Sequence, residues 1–321
     1  MSEIRYLVGY RPNERGQDAL SLAITLAQSF GAALDLVFVV REHSTYAPAY
    51  PPVGRDEELI AQKSRVWLEE AAATVPPGVE VAIHVRFGPS VARGLMTTAD
   101  ELDSALIVIG AGSSGLVRRH QLGTVATTLL NRATRPVTLV PRSYRAPGRI
   151  EHIDCAVGML SGRKKLLEEA VQVAARRDLP VRFITMVDLD GAGKAAKAAP
   201  GGEQQSGGAS VDGADPAEFV RGHVERMLEE AVEKYGAPAS TQIVMARGGI
   251  RAAVESVAWN EASILLIGSS RLAKQRRFSL GSTAHAILRA VSVPVVAVPA
   301  GAHLEGSGGD ASSSTSTEET P

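Results

Sequence analysis

Glycine, hydroxyl and basic side chains recur in this chain at two places where they could hold an anion. The first is Ala105–Pro141, ALIVIGAGSSGLVRRHQLGTVATTLLNRATRPVTLVP. The second is Ser263–Pro299, SILLIGSSRLAKQRRFSLGSTAHAILRAVSVPVVAVP. Each begins with a short, branched apolar run ending in Gly110 or Gly268, the pattern of a buried strand of a parallel sheet. A glycine- and serine-rich loop follows, then a basic patch, Arg118, Arg119 and His120 or Lys274, Arg276 and Arg277. Gly123-Thr124 or Gly281-Ser282 then opens a helix, with Thr124 and Ser282 as natural first-turn or N-cap residues. Glycines let backbone amides approach a ligand, and a helix start adds unpaired N–H groups and a positive dipole end. The chemistry is anion binding. The basic spacers read as a positive rim for phosphate or an acidic partner, or as a solvated loop.

Gly110 matches Gly268, Gly123 matches Gly281 and Pro136 matches Pro294 at one constant offset, which marks an internal repeat. In the first half, strands are expected at Ile4–Gly9, Leu34–Val40, Val79–Arg86, Ala105–Ile109 and Val137–Val140. Helices are expected after a loop over Arg11–Gln17 with Asp18 as cap, then over Asp56–Thr74, from Ser90 to about Leu102, and from Thr124. The second half repeats the order. Its strands are expected at Ile153–Gly158, Val181–Val187, Gln242–Ala246, Ser263–Ile267 and Val295–Val298. Its helices are expected at Lys164–Arg177, from Pro216 to about Tyr235, at Ile250–Glu261 and from Ser282. Strands alternating with helices, joined by right-handed crossovers, predict an α/β fold of two tandem doubly wound, five-stranded parallel sheets. Ligands of such sheets sit beyond the carboxyl ends of the strands, at the switch point of strand order.

The expected divisions are a first domain over 1–142, a linker over 143–150, a second domain over 151–300 and a disordered tail over 301–321. A disordered insertion is expected at about 190–213, which is rich in Gly, Ala and Lys and has no apolar period. A net charge of −1 implies no general attraction to nucleic acid or membrane, and an aromatic content of 4% argues against a base-stacking platform. The one cysteine, Cys155, excludes a disulfide framework and fits a reducing, cytoplasmic setting. MSEIRYLVGY enters a strand at once, so no signal peptide is expected, and no apolar run is long enough to span a bilayer. The histidines show no metal-ligand spacing, and neither a Gly-x-Ser-x-Gly elbow nor a Gly-x4-Gly-Lys-Ser/Thr loop is present.

In element order and in the loop after strand four, both halves resemble the universal stress protein family. The resemblance implies a strand order of 3-2-1-4-5 in each half, like that of adenine-nucleotide alpha-hydrolases. Nucleotide-binding members carry Gly-x2-Gly-x9-Gly-Ser/Thr there. This chain has Gly110-x2-Ser113-x9-Gly123-Thr124 and Gly268-x2-Arg271-x9-Gly281-Ser282. By that resemblance Gly110, Ser113, Gly123, Thr124 and Val125 would hold phosphates in half one, and Val39 would offer its backbone to adenine. Gly268, Arg271, Gly281, Ser282 and Thr283 are the half-two counterparts. Ser113 and Arg271 replace the second glycine; Arg271 either clamps phosphate bidentately or fills its place. Tyr10 and Met159 stand where the family often has an aspartate at the end of strand one.

The expected function is regulatory, in stress or dormancy, without turnover. Its ligand would be ATP or another adenine nucleotide, accompanied by Mg²⁺. A non-nucleotide interaction protein that kept the fold is the alternative, and a slow ATPase the third. Val137–Val140 and Val295–Val298 form apolar sheet edges, which are aggregation hazards unless covered. Pairing of the two fifth strands within the chain is therefore expected, and a further homodimer is possible in this family.

Overall fold

Buried runs of branched residues alternate with amphipathic segments along the computed structural model, which describes residues 4–42, 54–111, 122–157, 164–187, 216–268, 282–299 and 301–304. Half one comprises β1 (Arg5–Gly9), α1 (Glu14–Phe30), β2 (Ala33–Arg41), α2 (Gly54–Ala72), β3 (Val81–Gly88), α3 (Val91–Glu101), β4 (Leu106–Gly110), α4 (Thr124–Arg132) and β5 (Val137–Val140). Half two comprises β6 (His152–Val157), α5 (Lys164–Arg176), β7 (Pro180–Val187), α6 (Pro216–Tyr235), β8 (Ser240–Arg247), α7 (Ile250–Ser256), β9 (Ser263–Gly268), α8 (Ser282–Ala290) and β10 (Val295–Val298). The strands form one 10-stranded sheet in the order β3-β2-β1-β4-β5-β10-β9-β6-β7-β8. Pairing is parallel within each half, and β5 meets β10 antiparallel.

That antiparallel seam covers both fifth-strand edges. Its register joins Leu139 to Val295, Thr138 to Val296 and Val137 to Ala297. Thr138 and Val296 are equivalent in the repeat and are also each other's partners, so the approximate two-fold axis of the chain passes through this pair. The apolar cores follow the two faces of the sheet rather than the two halves. One holds Leu22 and Leu26 together with Leu167 and Val171; the other holds Leu129 and Leu130 together with Ile287 and Leu288. At the axis, the Thr138 hydroxyl is fully buried and has no hydrogen-bond partner among the described residues. Thr138→Val keeps the shape and removes the orphan. It is expected to stabilise the chain by about 1 kcal/mol, read as a higher urea midpoint; a lower midpoint would contradict this account of the seam.

α1 departs from expectation. It begins at Glu14, not at Asp18, because Asn13 is extended and its side chain accepts the Gly16 amide at 3.1 Å. Asp18 instead faces the segment joining the halves and accepts the Ser143 amide at 3.0 Å. Burial, its largest influence, raises the Asp18 carboxyl above the usual range. The Thr25 hydroxyl donates to the Pro147 carbonyl at 2.9 Å, and the Ile150 amide donates to the Ser29 hydroxyl at 2.9 Å. Glu14 takes the Arg142 guanidinium at 3.2 Å. These four side chains lie on one stripe of α1, so the helix holds the connection along its length.

α7 ends at Ser256, short of the expected Glu261, because the Trp259 indole donates to the Val254 carbonyl at 3.0 Å and turns the chain out of the helix. The expected disorder of the tail does not begin at Gly301. The Leu304 amide donates to Glu169 at 3.1 Å and the His303 ring lies 2.6 Å from the same carboxylate, so residues 301–304 dock on α5. The rest of the tail and the 190–213 segment lie outside the described residues.

Candidate functional site

The chain leaves β1 toward β2 on one side, while β4 flanks β1 on the other, so the carboxyl ends of β1 and β4 frame the switch point. A cleft of about 260 Å³ opens there. Its floor is Gly9, Val37, Val39, Ile109 and Gly110, its walls are Leu95 of α3 and the turn before α1, and its far side is Gly123, Thr124, Val125 and Ala126. Val39, Gly110, Gly123, Thr124 and Val125, singled out by the sequence, thus line one cleft. Ser113, Arg118, Arg119 and His120 lie outside the described residues.

Gly110 is at a close approach. A Cβ built on it would stand 2.2 Å from the Arg15 carbonyl oxygen, because α1 starts against the end of β4. Gly123 differs: a Cβ there would meet nothing within 4 Å among the described residues, and Gly123 lines the cleft. Gly123, rather than Thr124, occupies the N-cap of α4, in an extended conformation and with no side-chain cap. The Thr127 amide closes the first turn on the Gly123 carbonyl at 2.9 Å. Helix geometry leaves the amides of Thr124, Val125 and Ala126 without intrahelical acceptors, where the dipole is positive.

In half two, Gly268 ends β9, Ser282 opens α8 and Thr283 follows it, while Arg271 and Gly281 lie outside the described residues. Among the described residues, a Cβ on Gly268 would meet the Leu166 side chain, at an ordinary 3.4 Å. The tight helix-on-glycine contact therefore belongs to half one.

Tyr10 sits where the resemblance places an aspartate. Its side chain is 8% exposed and joins the apolar core, and burial, then Glu70, raises its hydroxyl. No acidic residue is among the described residues lining the cleft. Among the lining residues that sequence reasoning missed are Arg11 and Asn13, from the turn before α1, and Arg15 and Gly16, from its first turn. Asn13 as a cap ahead of the acidic Glu14 was the available signal. A Cβ on Gly16 would lie 1.9 Å from the Arg11 carbonyl, so the turn folds flat against the helix start. The Arg11 guanidinium stacks over the Phe38 ring at 5.4 Å from its centroid. Outward, the cleft continues into a shallow basin of about 730 Å³ lined by Arg11, Asn13, Glu14, Arg15, Val91, Val125 and Arg142.

A family model described as the universal stress protein family matches residues 5–141 and again 150–299. The chain belongs to this family. A universal stress protein of Mycobacterium tuberculosis and one of Mycobacterium bovis are each 28% identical over 305 residues, covering 91% of this chain and 99% of theirs. The crystal structure of a universal stress protein from Archaeoglobus fulgidus shares the fold, with a TM-score of 0.64 at 15% identity over 92% of this chain and 98% of that one.

Among the described residues of this family member, no group of three or more His, Cys, Asp and Glu is placed to hold a metal, and no helix is long and apolar enough to cross a membrane. Cys155 is buried, and desolvation raises its thiol far above the ordinary value.

Proposed function

We propose that this universal stress protein binds an adenine nucleotide, ATP with its Mg²⁺, in the half-one cleft and acts as a non-catalytic regulator in the cytoplasm. The observation carrying this reading is the meeting of Val39, Gly110 and the first-turn amides of α4 in one cleft at the switch point. The apolar floor, with Val37, Val39, Leu95 and Ile109, fits a flat base, and the Val39 backbone would meet its edge. Gly110, Gly123, Thr124 and Val125, joined by Ser113, would take the phosphates. Gly268, Arg271, Gly281, Ser282 and Thr283 would form the half-two counterpart. Binding would alter the surface presented to a partner, without turnover.

A second reading is favoured by Tyr10. With its side chain in the core, the cleft lacks the carboxylate expected near the nucleoside, as in an interaction protein that has lost its ligand. Titration calorimetry of the full chain with ATP and Mg-ATP, together with analysis of nucleotide carried through purification, separates the two. Saturable binding is expected. No heat at high protein concentration and no carried nucleotide would overturn the first reading in favour of the second. Phosphate release proportional to protein would overturn the non-catalytic part.

A further inference from the structure

We propose that the basin outside the cleft is a polyphosphate subsite in which Arg142 exchanges Glu14 for the outer phosphates of the ligand. The proposal rests on the nucleotide reading for the position of the inner phosphate, and makes its own claim about what lies beyond it. Arg11, Arg15 and Arg142 supply three guanidinium groups to the basin and Glu14 the only carboxylate among its described lining residues. The balance is positive, next to the open amides of α4. An inner group with one phosphate would reach those amides; a longer chain of phosphates must extend into the basin.

Arg142 is the exchangeable member. Its contact with Glu14 is 3.2 Å long, between side chains that are 45% and 73% exposed. Such a pair contributes little to stability and is readily traded. A phosphate offers the same guanidinium a bidentate, more highly charged acceptor. Glu14 therefore works as a competitor that keeps Arg142 at the mouth while lowering affinity for short ligands. Arg11 is kept near the mouth by its stacking on Phe38.

The repeat argues that these arginines are not demanded by the fold. With Gly9 placed on Gly158, Arg11 falls on Leu160; with Pro141 on Pro299, Arg142 falls on Ala300. Half two is thus built without Arg11 and Arg142, while Arg15 falls on the basic Lys164, so the arginine pair at the mouth belongs to half one.

The test is calorimetric titration of the full chain with AMP, ATP and inorganic tripolyphosphate, using the native protein, Arg142→Ala and Glu14→Gln. The native chain is expected to bind ATP about 10-fold or more tightly than AMP, as one or two charge-assisted contacts allow. Arg142→Ala should shrink that ratio to about 2-fold or less while leaving AMP affinity unchanged. Glu14→Gln should tighten ATP and tripolyphosphate and leave AMP unchanged. If AMP and ATP bind but their ratio ignores both substitutions, the subsite is overturned and the nucleotide reading stands. If no nucleotide binds while tripolyphosphate binds and needs Arg142, the subsite stands and the nucleotide reading fails. Silence with all three ligands overturns both.

Discussion

Replacing Asp35 with alanine is expected to destabilise the protein by about 3–5 kcal/mol, as removal of one partner from a buried ion pair does. Asp35 is fully buried near the start of β2, between Leu7 of β1 and Ala82 of β3. Arg5 meets it with two parallel bonds, Nε to Oδ2 at 2.8 Å and Nη2 to Oδ1 at 2.7 Å. His84 Nε2 lies 2.8 Å from Oδ1. Burial alone would raise the Asp35 carboxyl, but hydrogen bonds from His84 and Arg5, with the charge of Arg5, outweigh it and hold the group below the usual range. A carboxyl depressed in the folded state contributes stability that is fully present above its unfolded value of about 3.9. That contribution is lost as pH falls through the lower folded value. Urea midpoints should therefore drop in acid for the native chain, and Asp35→Ala should flatten this part of the profile. An alanine variant as stable as the native chain at pH 7 would show that the pair does no more than break even.

Half two supplies the rescue. Arg5 lies opposite Ala33 and reaches Asp35 two residues along β2, whereas in half two Asp154 lies directly opposite Arg182. Asp154 and Arg182 are bonded through Arg182 Nε to Oδ1 at 2.7 Å and Nη2 to Oδ2 at 3.0 Å. A neutralised Asp–Arg pair thus joins the first two strands of each half, with the carboxylate on β2 in one and on β6 in the other. What the fold requires here is a neutralised pair, not a particular sign at either position. The charge-exchanged variant Arg5→Asp, Asp35→Arg, His84→Val should recover part of the stability lost in Asp35→Ala, because a carboxylate and a guanidinium again neutralise each other between these strands. If it is no more stable than the single variant, the two bridges are not interchangeable.

The parts of this molecule that the sequence displays are those set by short periods and the repeat. Val137–Val140 is apolar at every position but Thr138, so an uncovered edge was untenable, and the β5–β10 seam follows. The start of α1 was hidden because Asn13 and Asp18 are both good caps. The choice is made by Ser143, which claims Asp18 from 125 residues away. Val39, Gly110, Gly123, Thr124 and Val125 were legible as a group through the family resemblance, which sets them at strand tips and at the start of α4. Arg11, Arg15 and Arg142 were not, since they come from a turn, from the start of α1 and from the segment after β5, and meet only once the sheet order is known. Tyr10 was visible as a departure, but its turn into the core depends on the packing of α1 and α2.

The second large effect separates the two glycines of the cleft, which the repeat alone treats alike. Gly123→Val should leave stability within about 0.5 kcal/mol of native, the ordinary range for a surface change, while weakening ATP binding by about 100-fold or more, equivalent to losing two charge-assisted amide contacts. The reason is that a side chain here would displace no neighbour among the described residues and would enter the place proposed for the ligand. The backbone of Gly123, at φ −77°, suits valine as well as glycine. Gly110→Ala should do the reverse in order of cause. Its methyl would enter the Arg15 carbonyl at 2.2 Å, so α1 must move off β4. That overpacking costs about 1–3 kcal/mol, and any loss of binding follows from the shifted α1. Urea midpoints and calorimetric titration on both variants distinguish these outcomes. If Gly123→Val instead unfolds the chain, the open space beside it is not open in solution. If it binds ATP as the native chain does, no phosphate lies at the start of α4, and the cleft cannot hold the ligand in the manner proposed.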